Sequence, residues 1–227
     1  MDVIYQDESI AVCIKPAGVP SQEGAGATVP ALLRQALNCR EIYTVHRLDT
    51  AAAGLMVYAK TQAAAAALSA QMAEKRFHKE YFALVHGAPA APAGEYEDLL
   101  FKDAKKNKTY VVKSARRGVR AAKLAYRAAQ TAQTPDGPVT PVKVTLFTGR
   151  THQIRVQFAS RGTPLLGDGK YGAKDRYITL GLFSCRLAFA HPATGRPMDF
   201  FAAPPATGPW ALFDRSVFTP GEGADAF

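Results

Sequence analysis

Only one stretch of this chain reads as a long helix. Residues 62–76, QAAAAALSAQMAEKR, follow Thr61 and consist of strong helix formers, with Lys75 and Arg76 at the end where the helix dipole favours cations. Almost everything else is a series of short apolar runs cut by glycine, proline and polar clusters. Strands then outnumber helices and cannot alternate regularly with them, which argues against a doubly wound parallel sheet. The pattern predicts an α+β fold with a mixed, mostly antiparallel sheet flanked by helices and loops.

The runs also place the elements. Residues 3–5 and 10–15 flank the polar cluster QDES and predict an opening hairpin. KPAGVPSQEGAGATVP is a loop, after which Thr28 caps a helix to about Leu37 with Pro30 in its first turn. Residues 55–59 predict a buried strand, and EYFALVHG a strand stopped by Gly87. Further strands are expected at YEDLLF, TYVVK, AKLAYRAAQT and VTPVKVTLF. Thr151 is placed to cap a short helix, HQIRVQFAS, and RGTPLLGDGKYG is another loop. Late strands near 185–190 and 198–202 follow, with Trp210 and Phe213 as a terminal packing anchor. No repeat or linker divides the sequence, so the 227 residues are read as a single domain with a frayed tail from about residue 216.

Several classes drop out. No apolar run approaches the ~20 residues a membrane helix needs, and the opening carries Asp2, Asp7 and Glu8 rather than the basic start of a signal peptide. Cys13, Cys39 and Cys185 are odd in number and scattered, so neither a disulfide framework nor a zinc knuckle is expected, and a reducing cytoplasm is the expected compartment. Lys+Arg 28 against Asp+Glu 19 gives a net charge of +9. Such an excess points to a polyanionic partner, most often nucleic acid; the bland alternative is a basic protein with no such partner.

Three segments carry candidate chemistry. In VHRLDTAAAGLMVYAKT, His46, Arg47 and Asp49 sit together before a glycine and an apolar strand, either placed for work at the mouth of a sheet or forming an Arg–Asp surface pair. In GRTHQIR, Arg150 and Arg155 bracket a helix start, which makes either an anion site or a capped helix with solvated arginines. In KEYFALVHG, Lys79 and Tyr81 share a strand face, and Tyr81 alone would be read as a core aromatic.

In this order and spacing the segments resemble the RluA-type RNA pseudouridine synthases. KPAGVP, HRLD with its following glycine, KEYFALVHG, GRTHQIRV, GD..YG (Gly167, Asp168, Tyr171, Gly172) and RLAFAHPATG occur in that family's order over about residues 3–205. The chain departs from the pattern at Ala52-Ala53, where Thr-Ser is usual, at Gln157, where His is usual, and at Phe183 within a late Leu-His-Ala.

The resemblance implies a pseudouridine synthase fold and isomerisation of specific uridines in folded rRNA or tRNA. The uracil N1–C1′ bond breaks and a C5–C1′ bond forms. No electrons or groups are gained, so neither cofactor nor metal is expected. It implies Asp49 as the catalytic carboxylate, attacking C1′ or abstracting a 2′ proton, Arg155 as its counter-charge, and Tyr81 against the uracil face. The uridine must be flipped out, with Arg47 filling the vacated space. His46, Lys79, Arg150, His152, Gln153 and Ile154 are the remaining substrate-binding candidates. The basic stretch 101–127 holds Lys105, Lys106, Lys108, Arg116 and Arg117 and is expected to track RNA phosphates as a hairpin, against the alternative of a solvated loop. A monomer acting on RNA, without membrane or metal, is the expected form. Two other readings compete: a non-catalytic RNA-binding protein that keeps the fold, and a metal hydrolase on His46, Asp49 and His152, for which no HxH or HExxH pattern exists.

Overall fold

A computed structural model describes residues 1–220. In chain order the elements are β1 (Asp2–Gln6), β2 (Ile10–Lys15), α1 (Val29–Leu37), β3 (Tyr43–Thr44), β4 (Ala53–Ala59), α2 (Gln62–Ala73), β5 (His78–His86) and β6 (Ala93–Asp103). They continue with β7 (Lys108–Val112), β8 (Val119–Ala128), β9 (Ala132–Thr134), β10 (Gly137–Leu146), α3 (Gln153–Ala159), β11 (Leu182–Ala190) and β12 (Pro197–Phe201). The strands pair mostly antiparallel with a parallel contact between β4 and β11, so the α+β expectation holds. No helix among the described residues is long and apolar enough to cross a membrane.

Residue contacts divide the chain into two compact units. The first is built mainly from Met1–Lys79 and Phe183–Ala203. Its strands run β1-β2-β4-β11, with β3 on β4 and β12 on β11. IAVCIK and AGLMVYA are near-continuous apolar runs because both strands are buried along almost their whole length. Ile10, Val12, Leu55, Val57, Leu68 and Leu187 form the core with Phe77, which stacks on Phe189 at 5.1 Å. Burying each such side chain contributes roughly 1.5–3 kcal/mol. Gly54 is required where β4 meets β11: its φ is +116°, and a Cβ there would lie 2.3 Å from the Ser184 carbonyl oxygen.

Both threonine caps form. Thr28 Oγ1 accepts the Ala31 N–H at 3.3 Å and Thr61 Oγ1 that of Ala64 at 3.1 Å. The second helix, however, stops at Ala73 rather than reaching Arg76. Lys75 turns left-handed at φ 59°, the Arg76 N–H returns to the Gln71 carbonyl at 2.8 Å, and that of Lys75 reaches Met72 at 3.2 Å. This Schellman ending redirects the chain so that Phe77 enters the core, a tertiary demand that helix propensity does not encode.

The second unit comprises Glu80–Leu182 and Pro204–Thr219. Its strands run β5-β10-β8-β6-β7, all antiparallel, with β9 on β10. Here α3 is buried over six consecutive residues, Gln153 to Phe158. Phe158 meets the Tyr96 ring at 5.1 Å and the Tyr126 ring at 5.7 Å. Val156 packs on Leu100 and Ala122. The cap expected from Thr151 does not form. His152, at φ 54°, holds the N-cap position, because Thr151 lies inside a turn closed by the Gln153 N–H on the Arg150 carbonyl at 3.1 Å. The frayed tail expected from about 216 is corrected for its first residues. Arg215–Val217 is a short 3-10 turn in which Asp214 accepts the Ser216 N–H, and Phe218 is buried against Phe82 and Trp210. Residues 221–227 lie outside the described residues.

Candidate active site

In the first unit, two loops singled out by sequence are clasped together. The HRLD turn lies between β3 and β4, and the KPAGVPS loop packs on it. Ser21 Oγ donates to the Leu48 carbonyl at 2.8 Å and accepts the Leu48 N–H at 3.2 Å, while the Tyr58 hydroxyl donates to the Ser21 carbonyl. The Thr50 carbonyl accepts both the Gly18 N–H at 2.8 Å and Lys15 Nζ at 3.0 Å. Asp49, half-buried, is therefore carried on a turn held from both sides. The Ala52 N–H closes that turn on the Asp49 carbonyl at 3.0 Å.

Lys15 is fully buried and also donates to the Pro16 carbonyl at 2.8 Å. Burial pulls its ammonium down to about 8, and the nearby Asp49 carboxylate works in the opposite direction. The sequence reading passed over this residue. The available signal was a lysine closing the apolar run IAVCIK, in step with the inward-facing Ala11 and Cys13.

His46 is buried, and its Nε2 accepts the Val57 N–H at 3.1 Å. Burial first, and the positive Lys79 second, push its pKa down to about 3. The ring is therefore neutral with its proton on Nδ1, which is buried with no partner among the described residues. This geometry anchors the HRLD turn to β4. Arg47, in contrast, is exposed. Lys79 is half-buried with Nζ 5.9 Å from the Phe77 ring centre, and burial lowers its pKa.

In the second unit, Tyr81 is buried on β5 opposite Val144 of β10. The Arg155 guanidinium grips Asp168 with two bonds, Nε to Oδ2 and Nη2 to Oδ1, both 2.7 Å. Both residues are buried, at 7% and 1% exposure, and the fork geometry is one a lysine cannot reproduce. The Arg155 Cζ also lies 5.1 Å from the Tyr171 ring centre. Sequence reasoning quoted Asp168 and Tyr171 only as motif letters, and their partners depend on tertiary contacts that spacing does not reveal. Gly167 keeps the Asp168 loop tight: φ is +72° and a Cβ would lie 2.3 Å from the Thr179 carbonyl oxygen.

The other GRTHQIR residues are largely committed to the protein itself. Gln153 Oε1 accepts from the Thr148 hydroxyl and the Arg150 N–H, and its Nε2 donates to the Lys123 carbonyl. Arg150 Nε donates to the Ala121 carbonyl at 2.9 Å. Ile154 is buried, and His152 Nδ1 shares a 2.8 Å hydrogen bond with the Tyr171 hydroxyl. These contacts staple the start of α3 to β8 and to the Tyr171 loop. Among the described residues, no group of three or more His, Cys, Asp or Glu side chains is placed to hold a metal ion. Gln157, the departure from the pattern, donates to the Tyr96 carbonyl and to Asp98 Oδ2, tying α3 to β6.

The basic stretch does form a hairpin. Lys105 and Lys106 are exposed in the turn between β6 and β7, which Asp103 caps by accepting the Lys106 N–H at 3.1 Å. Lys108 opens β7. Arg116 and Arg117 are exposed before β8, with the Arg116 guanidinium 5.1 Å from the Phe101 ring centre.

The family model for RNA pseudouridylate synthases matches residues 9–160. The chain belongs to that family. The RNA pseudouridine synthases are isomerases, and similar members share about a third of their residues with this chain. A dual-specificity RNA pseudouridine synthase RluA from Yersinia pestis is 34% identical over 88% of this chain and 97% of its own length. The ribosomal large subunit pseudouridine synthase D of Zymomonas mobilis is 31% identical over 90% of this chain and 69% of its own. Among solved structures, human RNA pseudouridylate synthase domain containing 1 superposes with a TM-score of 0.77 at 22% identity, covering 97% of this chain and 88% of that one. That likeness supports the pseudouridine synthase fold.

Proposed function

We propose that this pseudouridine synthase isomerises specific uridines in folded RNA, of ribosomal or transfer type, as a monomer in the cytoplasm. The observation that carries the reading is the family match across residues 9–160, a span that contains Asp49, Tyr81 and Arg155. The name of one relative, a ribosomal large subunit pseudouridine synthase, supports ribosomal RNA as the class.

In this reading RNA phosphates meet the hairpin lysines and the uridine flips out of its stack, with the exposed Arg47 filling the vacated space. Tyr81 lies against the uracil face. The Asp49 carboxylate starts the reaction at C1′ or at the 2′ proton. The N1–C1′ electron pair leaves with uracil, the base turns, C5 bonds to C1′ as the Asp49 oxygen departs or the 2′ proton returns, and the C5 proton is released while N1 takes one up. Arg155 provides the counter-charge in this reading, and Asp168 fixes the plane of that guanidinium. Lys15 adds a second positive charge beneath the Asp49 turn.

The test uses RNA carrying tritium at uridine C5, prepared from cells lacking this protein. Release of tritium to water by the purified chain, at RNA sites missing pseudouridine in those cells, is the expected result. RNA binding without tritium release would favour the non-catalytic RNA-binding reading.

A further inference from the structure

We infer that Tyr171 is a positioning residue whose hydroxyl locks the base of the basic hairpin to the segment that carries Arg155. RNA held by the hairpin is thereby kept in register with the reacting centre. The inference rests on the proposed function and concerns how two of its parts are joined.

Three segments of the second unit converge on this one side chain. Tyr171 ends the short 3-10 turn Gly169–Tyr171, and its N–H donates to the carbonyl of Asp168 at 3.0 Å, so its backbone is tied to the residue that grips Arg155. Its hydroxyl accepts the Thr109 N–H at 2.8 Å, one residue into β7, and shares a 2.8 Å bond with His152 Nδ1 at the start of α3. The one oxygen therefore bridges β7 and the start of α3. Burial raises the pKa of the hydroxyl, which keeps it protonated.

The ring serves the same two sides. Lys108 Nζ lies 5.2 Å and Arg155 Cζ 5.1 Å from its centre. Two further bonds cross the seam: Thr109 Oγ1 donates to the Thr151 carbonyl at 2.9 Å, and Lys170 Nζ to the Asn107 carbonyl at 3.1 Å. Thr109 is 2% exposed, so without the hydroxyl its N–H loses its partner out of reach of bulk water. Lys105 and Lys106 lie in the turn directly before this anchored pair. A simple space-filling role would need the ring alone; the oxygen is placed to couple.

The experiment replaces Tyr171 with Phe, which keeps the ring and removes the oxygen. The probe is a fluorescent RNA stem-loop with uridines in its loop. Tyr171→Phe is expected to raise its Kd about tenfold, as for one lost buried hydrogen bond. The same substitution in a chain already carrying Lys105→Ala, Lys106→Ala and Lys108→Ala is expected to change Kd less than twofold, because there is no grip left to misplace. Amide hydrogen exchange at Thr109 should quicken at least tenfold while exchange in α3 stays as in wild type. Turnover at saturating RNA should stay within threefold as KM rises. Equal weakening in both backgrounds, or unchanged Kd together with unchanged Thr109 exchange, overturns the inference. Exchange and binding need no catalysis, so absence of tritium release by the wild-type chain would defeat the functional reading separately.

Discussion

The Asp7 carboxylate illustrates how single residues hold this molecule. Oδ1 accepts the Ser9 and Ile10 N–H groups at 2.7 and 2.9 Å, and Oδ2 receives the Tyr5 hydroxyl and shares a 2.6 Å bond with His191 Nε2. Burial alone would raise its pKa, yet these bonds together bring it down to about 2. A carboxyl held below its unfolded value stabilises the fold fully above about pH 4, and that stability is lost as pH falls towards 2. Asp7→Asn should therefore lower the melting temperature at pH 7 and flatten its fall between about pH 4 and pH 2. Parallel acid limbs for the two proteins would refute the assignment. A larger effect is expected at Asp168. Asp168→Asn strips the charge from one side of a buried pair and should cost on the order of 3 kcal/mol in denaturant unfolding. It should also lower turnover more than RNA affinity, since Arg155 loses its fixed plane. Residues of this kind divide by legibility. Asp49, Tyr81 and Arg155 stand in motifs and could be named from type and order, whereas Lys15, Asp168 and Tyr171 matter through partners up to 62 residues away in sequence, such as Thr109 on Tyr171.

At the scale of elements, the hairpin of β6 and β7 carries the clearest expectation. Its turn lysines, Lys105 and Lys106, are exposed, and the charge run that marked them is a sequence property. Replacing Lys105, Lys106 and Lys108 with Ala should weaken RNA binding and reduce the log–log salt slope by about one unit per lost phosphate contact, with turnover at saturating RNA little changed. An unaltered slope would make this face merely solvated. The helices tell the opposite story about legibility. Thr28 and Thr61 were readable as caps because a capping hydroxyl acts within three residues. The end of α2 and the start of α3 were not, because Phe77 must reach the core and Gln153 must bond to Thr148, Arg150 and Lys123. Local propensity yields wherever a long-range contact sets the boundary.

Over the whole molecule, the fold class followed from one long helical pattern set among many short strands, and the strand runs were found nearly where expected. What pattern could not supply was strand order, because β11 from the end of the chain pairs in parallel with β4 at Phe183↔Ala53 and Ser184↔Gly54. That insertion brings late sequence beside the strand that follows the HRLD turn, and it explains why Gly54 is needed there. Asp49 stands in the first unit, on the turn clasped by Ser21 and Lys15, while Tyr81 and Arg155 belong to the second. The central claim is that the charge of Asp49 drives uridine isomerisation. Asp49→Asn keeps the size of the side chain and removes that charge. C5-tritium release measured with this variant, alongside binding of the same RNA, tests the claim most directly. The account predicts no detectable release above background with a Kd within about threefold of wild type, since phosphate contacts dominate affinity. Substantial release from a clean Asp49→Asn preparation would contradict it.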